Sequence, residues 1–335
     1  MTPRSTRMRV RTVASTVLGL LLLVTPVTGA AASPPPVPIV RPATQDGPVP
    51  FDLSPTLAAA KHDYAAPYRD GCHVQQNGKA KKGASCVYGD VRSSTTIVLF
   101  GDSHAMHWFP AVDAWARSAG FALVPIVRSA CPPIDAPLVA PTPQMTADCA
   151  TWRTQALARI GEMVPALTVV SGSLGTGVLL DGVPVAPRNT GMEAWIAPAT
   201  RMLAEVRARS AAVVFLGDVP RPGFVVPDCL AVHRADPATC GRPLEVVMPP
   251  VARAAEARAA AAAGVVFADP VPWLCGPDAC DWMAGDAVGW VDDQHLTTSG
   301  ALHALPELAV VLGAAIGPTA MGGIRPAADP GPHGG

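Results

Sequence analysis

From residue 95 onward the chain alternates short apolar runs rich in β-branched residues with longer stretches of mixed apolar and polar character. The runs at 95–100 (TTIVLF), 122–127 (ALVPIV), 167–171 (LTVVS), 212–216 (AVVFL) and 265–267 (VVF) are continuous in hydrophobicity rather than alternating. Such runs suit parallel strands covered on both faces. The stretches 106–118, 150–163, 192–209, 244–262 and 299–316 predict helices between and after them. Strand followed by helix, five times over, predicts an α/β fold: a three-layer sandwich on a five-stranded, mainly parallel sheet with right-handed crossovers.

The two ends break this pattern. Arg4, Arg7, Arg9 and Arg11 precede an apolar run centred on residues 20–24 and a small-residue stretch at 29–32. A basic, then apolar, then A-x-A-like order predicts a secretory signal over 1–32, cleaved after Ala32, or retained as an N-terminal tether. The proline-rich stretch 33–50 predicts an extended linker. Residues 51–94 form an N-terminal extension with a short helix near 55–61, residues 95–316 the main domain, and the Gly/Pro-punctuated 317–335 a disordered tail. The expected location is secreted or extracytoplasmic.

Export changes the meaning of the eight cysteines, which in an oxidising compartment read as disulfides before metal ligands. They fall as close neighbours, Cys72 and Cys86, Cys131 and Cys149, Cys229 and Cys240, Cys275 and Cys280, each pair bracketing a Gly/Pro/Asp-rich loop. Neighbour pairing is the simplest of the 105 possible connectivities, and no metal site is expected. The 25 Lys+Arg against 26 Asp+Glu leave a net charge of -1, so no global positive field draws nucleic acid, and none is expected as a partner.

In an open α/β sheet, ligands bind beyond the carboxyl ends of the strands. Directly after the first strand stands Gly101-Asp102-Ser103-His104. A serine at this turn presents its hydroxyl at the sheet edge and its N–H at a helix start, where an oxyanion is held. It reads equally as the N-cap of the helix, with Asp102 a second capping residue. Before the final helix stands Asp292-Asp293-Gln294-His295-Leu296. An Asp three residues before a His on a loop can accept its Nδ1–H and turn Nε2 toward a nucleophile. His104 and His107 share a helix face next to Asp102 and read as lining the site or capping rather than as ligands. Among the tryptophans Trp108, close to Ser103, is the candidate platform for a sugar, and Trp152, Trp273, Trp282 and Trp290 read as core. Arg153 reads as an ion-pairing residue within the fold.

LFGDSH before a helix, followed by DDQHLT before the last helix, resembles the SGNH (GDSL-like) hydrolase superfamily. More narrowly it is similar to the SGNH domain associated with acyltransferase-3 proteins that O-acetylate cell-surface polysaccharides. The lead-in DGC…CVYGD at 70–90, SACPP at 129–133 and C-x-x-W-R at 149–153 also match, and the likeness runs from about residue 60 to 315. The resemblance implies a flavodoxin-like SGNH fold with Ser103 as nucleophile, His295 as base and Asp292 as orienting carboxylate, Asp293 standing in reserve. The family's asparagine after the third strand is replaced by Leu174, so the oxyanion donors fall to the Ser103 N–H, Ala130 or Cys131, and Ser173. No cofactor is implied. The expected function is an exported serine-dependent enzyme that transfers or removes O-acetyl groups on a cell-envelope carbohydrate. Transfer would require a separate membrane acyltransferase or an acetylated donor, since no acetyl-CoA pool is expected outside the cytoplasm. The alternative is a catalytically impaired glycan-binding module of the same fold.

Overall fold

Successive residues of one strand feed two different cores. Ile97 and Leu99 pack into one apolar cluster with Phe109, Val112, Trp115, Leu308 and Leu312, while Val98 and Phe100 join another with Ile160, Met202, Val206 and Ala259. Because side chains alternate across a strand, this division places a helical layer on each face of the sheet. The computed structural model describes residues 47–76, 86–185, 188 and 190–317. The expected signal over 1–32, the linker except 47–50, and the tail except Gly317 lie outside these residues.

The sheet has six strands: β1 (Tyr88–Gly89), β2 (Thr96–Gly101), β3 (Ala122–Val127), β4 (Leu167–Ser171), β5 (Val213–Leu216) and β6 (Val266–Ala268), in the spatial order β1-β3-β2-β4-β5-β6. The last five are parallel, and their bounds lie within a residue of the apolar runs. The sixth strand is the addition: β1 is a two-residue antiparallel edge, too short to leave a hydrophobic pattern. Leaving it aside, the order is 2-1-3-4-5, whose switch point lies between β2 and β4. Register brings Gly101 level with Val127 and with Ser171, so the loops after β2, β3 and β4 leave the same edge of the sheet together.

Prolines divide three of the expected helices. The first is two, Ser103–His107 and Phe109–Ala119; the fourth is Leu244–Val247 and Pro250–Ala263; the last is Thr298–His303 and Leu305–Ile316. Each second piece begins with Pro at its first or second position, where the missing N–H costs nothing. The second helix is longer than expected, Pro143–Met163, because Thr142 caps it by accepting from the Met145 N–H at 3.3 Å. That extension carries Cys149 on its buried side.

Disulfides join Cys72 to Cys86, Cys131 to Cys149, Cys229 to Cys240 and Cys275 to Cys280. Closing loops of this size stabilises by roughly 3 kcal/mol for the first three and about 2 kcal/mol for the short Cys275 to Cys280 loop on the loop-entropy account. The packed chain begins before residue 51: Val49 is buried and its N–H donates to the Arg234 carbonyl at 2.7 Å. Among the described residues no helix is long and apolar enough to cross a membrane.

Candidate active site

Gly101 ends β2 with φ +152, and a Cβ there would overlap the Ser171 carbonyl of the neighbouring strand. Only glycine lets the chain turn out of the sheet so close to β4. Asp102, not Ser103, then caps the helix: its Oδ1 accepts from the His104 N–H at 2.8 Å. Its carboxylate also accepts from the Ser173 N–H at 3.0 Å, tying the loops after β2 and β4 together. Burial raises the Asp102 carboxyl above its ordinary value, against the pull of His104 and these N–H groups. With Asp102 doing the capping, the Ser103 hydroxyl is left for another partner.

That partner is His295. Its Nε2 lies 3.0 Å from Ser103 Oγ, and its Nδ1 lies 2.8 Å from Asp292 Oδ2. Asp292 Oδ1 accepts from the backbone N–H groups of Gln294 at 2.9 Å and His295 at 2.7 Å. Burial alone would raise the Asp292 carboxyl, but the bonds from His295 and Gln294 outweigh it and hold the group below the usual carboxylate range. The tautomer follows: Nδ1–H donates to Asp292, so Nε2 accepts from the serine hydroxyl. Asp293 takes no part in this chain of bonds; its carbonyl accepts from the Gly223 N–H at 3.3 Å.

The loop carrying the pair is held at both ends. Trp290 Nε1–H donates to the Pro220 carbonyl at 3.2 Å, and the Val291 N–H donates to the His295 carbonyl at 2.9 Å. Thr297 caps the following helix by accepting from Gly300 at 2.8 Å and donates to the Val288 carbonyl at 2.6 Å. His295 is thereby positioned by side chains on either side of it in sequence, which is what a proton-transferring imidazole requires.

The expected oxyanion donors divide. The Cys131 N–H is spent on the Arg128 carbonyl at 3.3 Å and the Ser173 N–H on Asp102, so neither backbone group is free for a substrate. Ser103, at the first helical position, has no intrahelical acceptor for its N–H. Ala130 sits in the left-handed region at φ 52, and its N–H has no partner among the described residues. Ser173 Oγ accepts from the Gly175 N–H at 3.0 Å and keeps its own proton to donate. Leu174 is buried, and its N–H donates to Asp218 at 2.9 Å.

Three other expectations are corrected. Trp108 is fully buried against Trp273, with ring centroids 6.3 Å apart, and offers no face to a sugar. His104 does not line the surface; it is buried behind the site, with Nδ1 2.6 Å from Asp218 Oδ1 and its ring 5.1 Å from that of His295. Arg153 forms no ion pair among the described residues and donates to the Ala136 carbonyl at 2.6 Å; burial lowers its guanidinium to about 10.

Asp218 is the principal residue that sequence reasoning missed. Its signal was available: Gly217-Asp218 stands at the end of β5 as Gly101-Asp102 stands at the end of β2. Asp218 accepts from His104, Leu174 and Arg188, and its own N–H donates to the buried Glu256 at 2.9 Å. Burial would lower the His104 imidazole, but Asp218 outweighs it and the value is raised; Asp218 is reciprocally held below the carboxylate range despite its burial. Burial, together with the Asp292 carboxylate, raises the phenol of Tyr64, from the N-terminal extension.

The buried pair makes a stability prediction. A raised imidazole contributes fully below its ordinary value of about 6.5 and loses that contribution as pH rises through its folded value. A depressed carboxylate contributes above about 3.9 and is lost as pH falls through its folded value. The full contribution therefore spans about pH 4 to 6.5. Asp218→Asn leaves a buried imidazolium unpaired and is expected to cost roughly 3–5 kcal/mol in that window. Thermal melts of both proteins across pH 5 to 9 check this: the gap should narrow at the alkaline end, and a pH-independent gap would defeat the account.

Comparison with known proteins agrees with this architecture. The family model described as SGNH domain (fused to AT3 domains) matches residues 71–309. Among solved structures, the periplasmic domain of the lipopolysaccharide acetyltransferase from Salmonella ser. Paratyphi A superposes with a TM-score of 0.55 at 14% identity, covering 72% of this chain and 91% of that one. A GDSL-like lipase from Bacteroides thetaiotaomicron VPI-5482 gives 0.36 at 17% identity over 66% of this chain and 89% of its own. A protein described as a putative acylhydrolase, from Bacteroides fragilis NCTC 9343, gives 0.35 at 15% identity over 68% and 91%. No protein of curated function matches the chain in sequence.

Proposed function

The chain belongs to the family of SGNH domains found fused to AT3 domains, and from that membership we propose that it is a serine-dependent acyl-ester enzyme acting on O-acetyl groups of a cell-envelope glycan. The observation that carries this is the continuous chain of bonds from Asp292 through His295 to a Ser103 hydroxyl that Asp102 has relieved of capping. In this mechanism His295 Nε2 takes the Ser103 proton as Oγ attacks the ester carbonyl. The negative charge on the carbonyl oxygen meets the Ser103 and Ala130 N–H groups and the Ser173 hydroxyl. The imidazolium returns its proton to the departing alcohol, leaving an acyl-serine. Water then releases acetate, or a sugar hydroxyl takes the acyl group, His295 accepting the incoming proton in either case.

The glycan follows from the resemblance and from the Salmonella domain, which belongs to a lipopolysaccharide acetyltransferase. Four disulfides support an extracytoplasmic setting, where such bonds persist. There an AT3-type membrane protein is the partner that would deliver acetyl groups for transfer. The test is turnover of p-nitrophenyl acetate by the purified protein, with and without a carbohydrate acceptor, beside Ser103→Ala. Acetate release alone favours hydrolysis, and an acetylated acceptor favours transfer. Turnover that survives Ser103→Ala overturns the nucleophile, and the absence of either reaction returns the chain to a glycan-binding module.

A further inference from the structure

The loop after β5 lies along the loop that carries Asp292 and His295. The Pro220 carbonyl accepts from Trp290, the Gly223 N–H donates to the Asp293 carbonyl, and the Arg221 N–H donates to the Val247 carbonyl at 3.0 Å. Arg221 is thus fixed at its backbone, while its half-buried side chain reaches back toward the site. The guanidinium donates to Gln294 Oε1, on the residue next to His295. It also lies against Gly175, where any Cβ would overlap it, on the turn whose N–H donates to Ser173 Oγ. Its charge is felt by His104, the residue after Ser103. Arg221 therefore bridges the 173–175 turn and the 292–295 loop on the rim of the Ser103 site.

The cations and carboxylates around it are otherwise accounted for. Arg188 is held by Asp218 and the Val247 carbonyl. Asp218 is spent on His104, and Asp292 on His295. Among the described residues no ion pair includes Arg221, and Asp293 does not reach it. A guanidinium has five N–H donors in a planar fork, and Gln294 engages one end of it. A half-buried charge with donors to spare is costly unless something anionic completes it, and the fork matches a carboxylate or phosphate. Holding Gln294 alone would need only a neutral donor.

We propose that Arg221 is a binding residue for an anionic group, carboxylate or phosphate, on the ester substrate, carried either by the sugar or by the far end of the acyl chain. The proposal rests on the ester-enzyme reading of the Ser103 site and adds a substrate class to it; an anion on the acyl chain would make that group a dicarboxylic half-ester such as succinyl in place of acetyl. One charge-assisted pair in such a position corresponds to about a tenfold to hundredfold preference. The experiment compares the methyl glycoside of O-acetylated glucuronate with its neutral O-acetylated glucoside counterpart, and mono-p-nitrophenyl succinate with p-nitrophenyl acetate. The wild-type protein is expected to favour the charged member of one pair at least tenfold, chiefly through KM. Which pair shows the preference tells whether the anion is on the sugar or on the acyl chain. In Arg221→Gln the preference should fall to within about twofold, and Arg221→Lys should restore part of it. Equal use of charged and neutral members by a wild-type protein whose turnover depends on Ser103 overturns the anion site and leaves the enzyme reading intact. Absence of turnover overturns that reading instead. Direct titration with methyl glucuronide, methyl glucoside, succinate and acetate then decides Arg221 separately. Binding of either anion in preference to its counterpart that is lost in Arg221→Gln sustains the site, and binding without charge preference overturns it.

Discussion

Ser103→Ala is expected to lower kcat for ester turnover by at least about four orders of magnitude, to a residue attributable to binding and oxyanion contacts alone. The alanine removes the hydroxyl that lies 3.0 Å from His295 Nε2 and that the proposed mechanism joins to the acyl group, while the helix keeps its cap on Asp102. The fold should therefore survive, and thermal melts of the variant should overlay the wild type within a few degrees. In the proposed mechanism Ser103 and His295 act as one unit, so the double variant with His295→Ala should lose little more than either single change. Single-turnover assays with p-nitrophenyl acetate check this; multiplying losses would show that the two side chains do not act in one step.

Asp292→Asn is expected to cost about three to four orders of magnitude in kcat with little change in KM. An amide can still sit near the Gln294 and His295 N–H groups, so the loop is retained. What fails is the charge opposite Nδ1: an Asn that presents its NH2 favours the tautomer with the proton on Nε2, which cannot accept from Ser103. Such a split, kcat falling while KM holds, separates loss of proton transfer from loss of binding. Asp293→Asn serves as the control, since its side chain forms no part of the Ser103 to Asp292 chain, and it should stay within about threefold of wild type.

Much of this protein was legible along the chain. Five apolar runs predict five parallel strands, and the central sheet adds to them a two-residue edge strand at Tyr88–Gly89 that no periodicity could reveal, while among the described residues three short antiparallel pairs lie outside that sheet. Gly101-Asp102-Ser103-His104 and Asp292-x-x-His295 stood out as candidates along the chain, and the contact of Asp292 with His295 is made within one short turn, but the contact of His295 with Ser103 spans 192 positions and is made by the fold. The oxyanion donors were less legible. Whether the N–H of Ala130, Cys131 or Ser173 points at a substrate depends on which carbonyl or carboxylate claims it, and those acceptors, Arg128 and Asp102, come from other turns or other loops. Trp108 misled for a related reason: closeness to Ser103 in sequence says nothing about where its side chain goes, and at the junction between the two helices it packs into the core.

The net charge of -1 excluded a global field but was silent about local ones. Arg221 lies 118 positions after Ser103 by number and 73 before Gln294; the parallel register of β2, β4 and β5 brings the first two loops to one edge, and the Trp290 to Pro220 and Gly223 to Asp293 bonds bring the 292–295 loop against them. By itself the sequence determined the alternation of strands and helices, and with it the layers, because these follow from local hydrophobic period; the candidate reacting side chains came from the resemblance carried by two short motifs. The tertiary structure alone decided which polar groups are already spent on one another, His104 on Asp218 and Ser173 on Asp102, and which, like Arg221, are left for a ligand. That division is a matter of distances between loops far apart in the chain, and nothing local in the sequence encodes it.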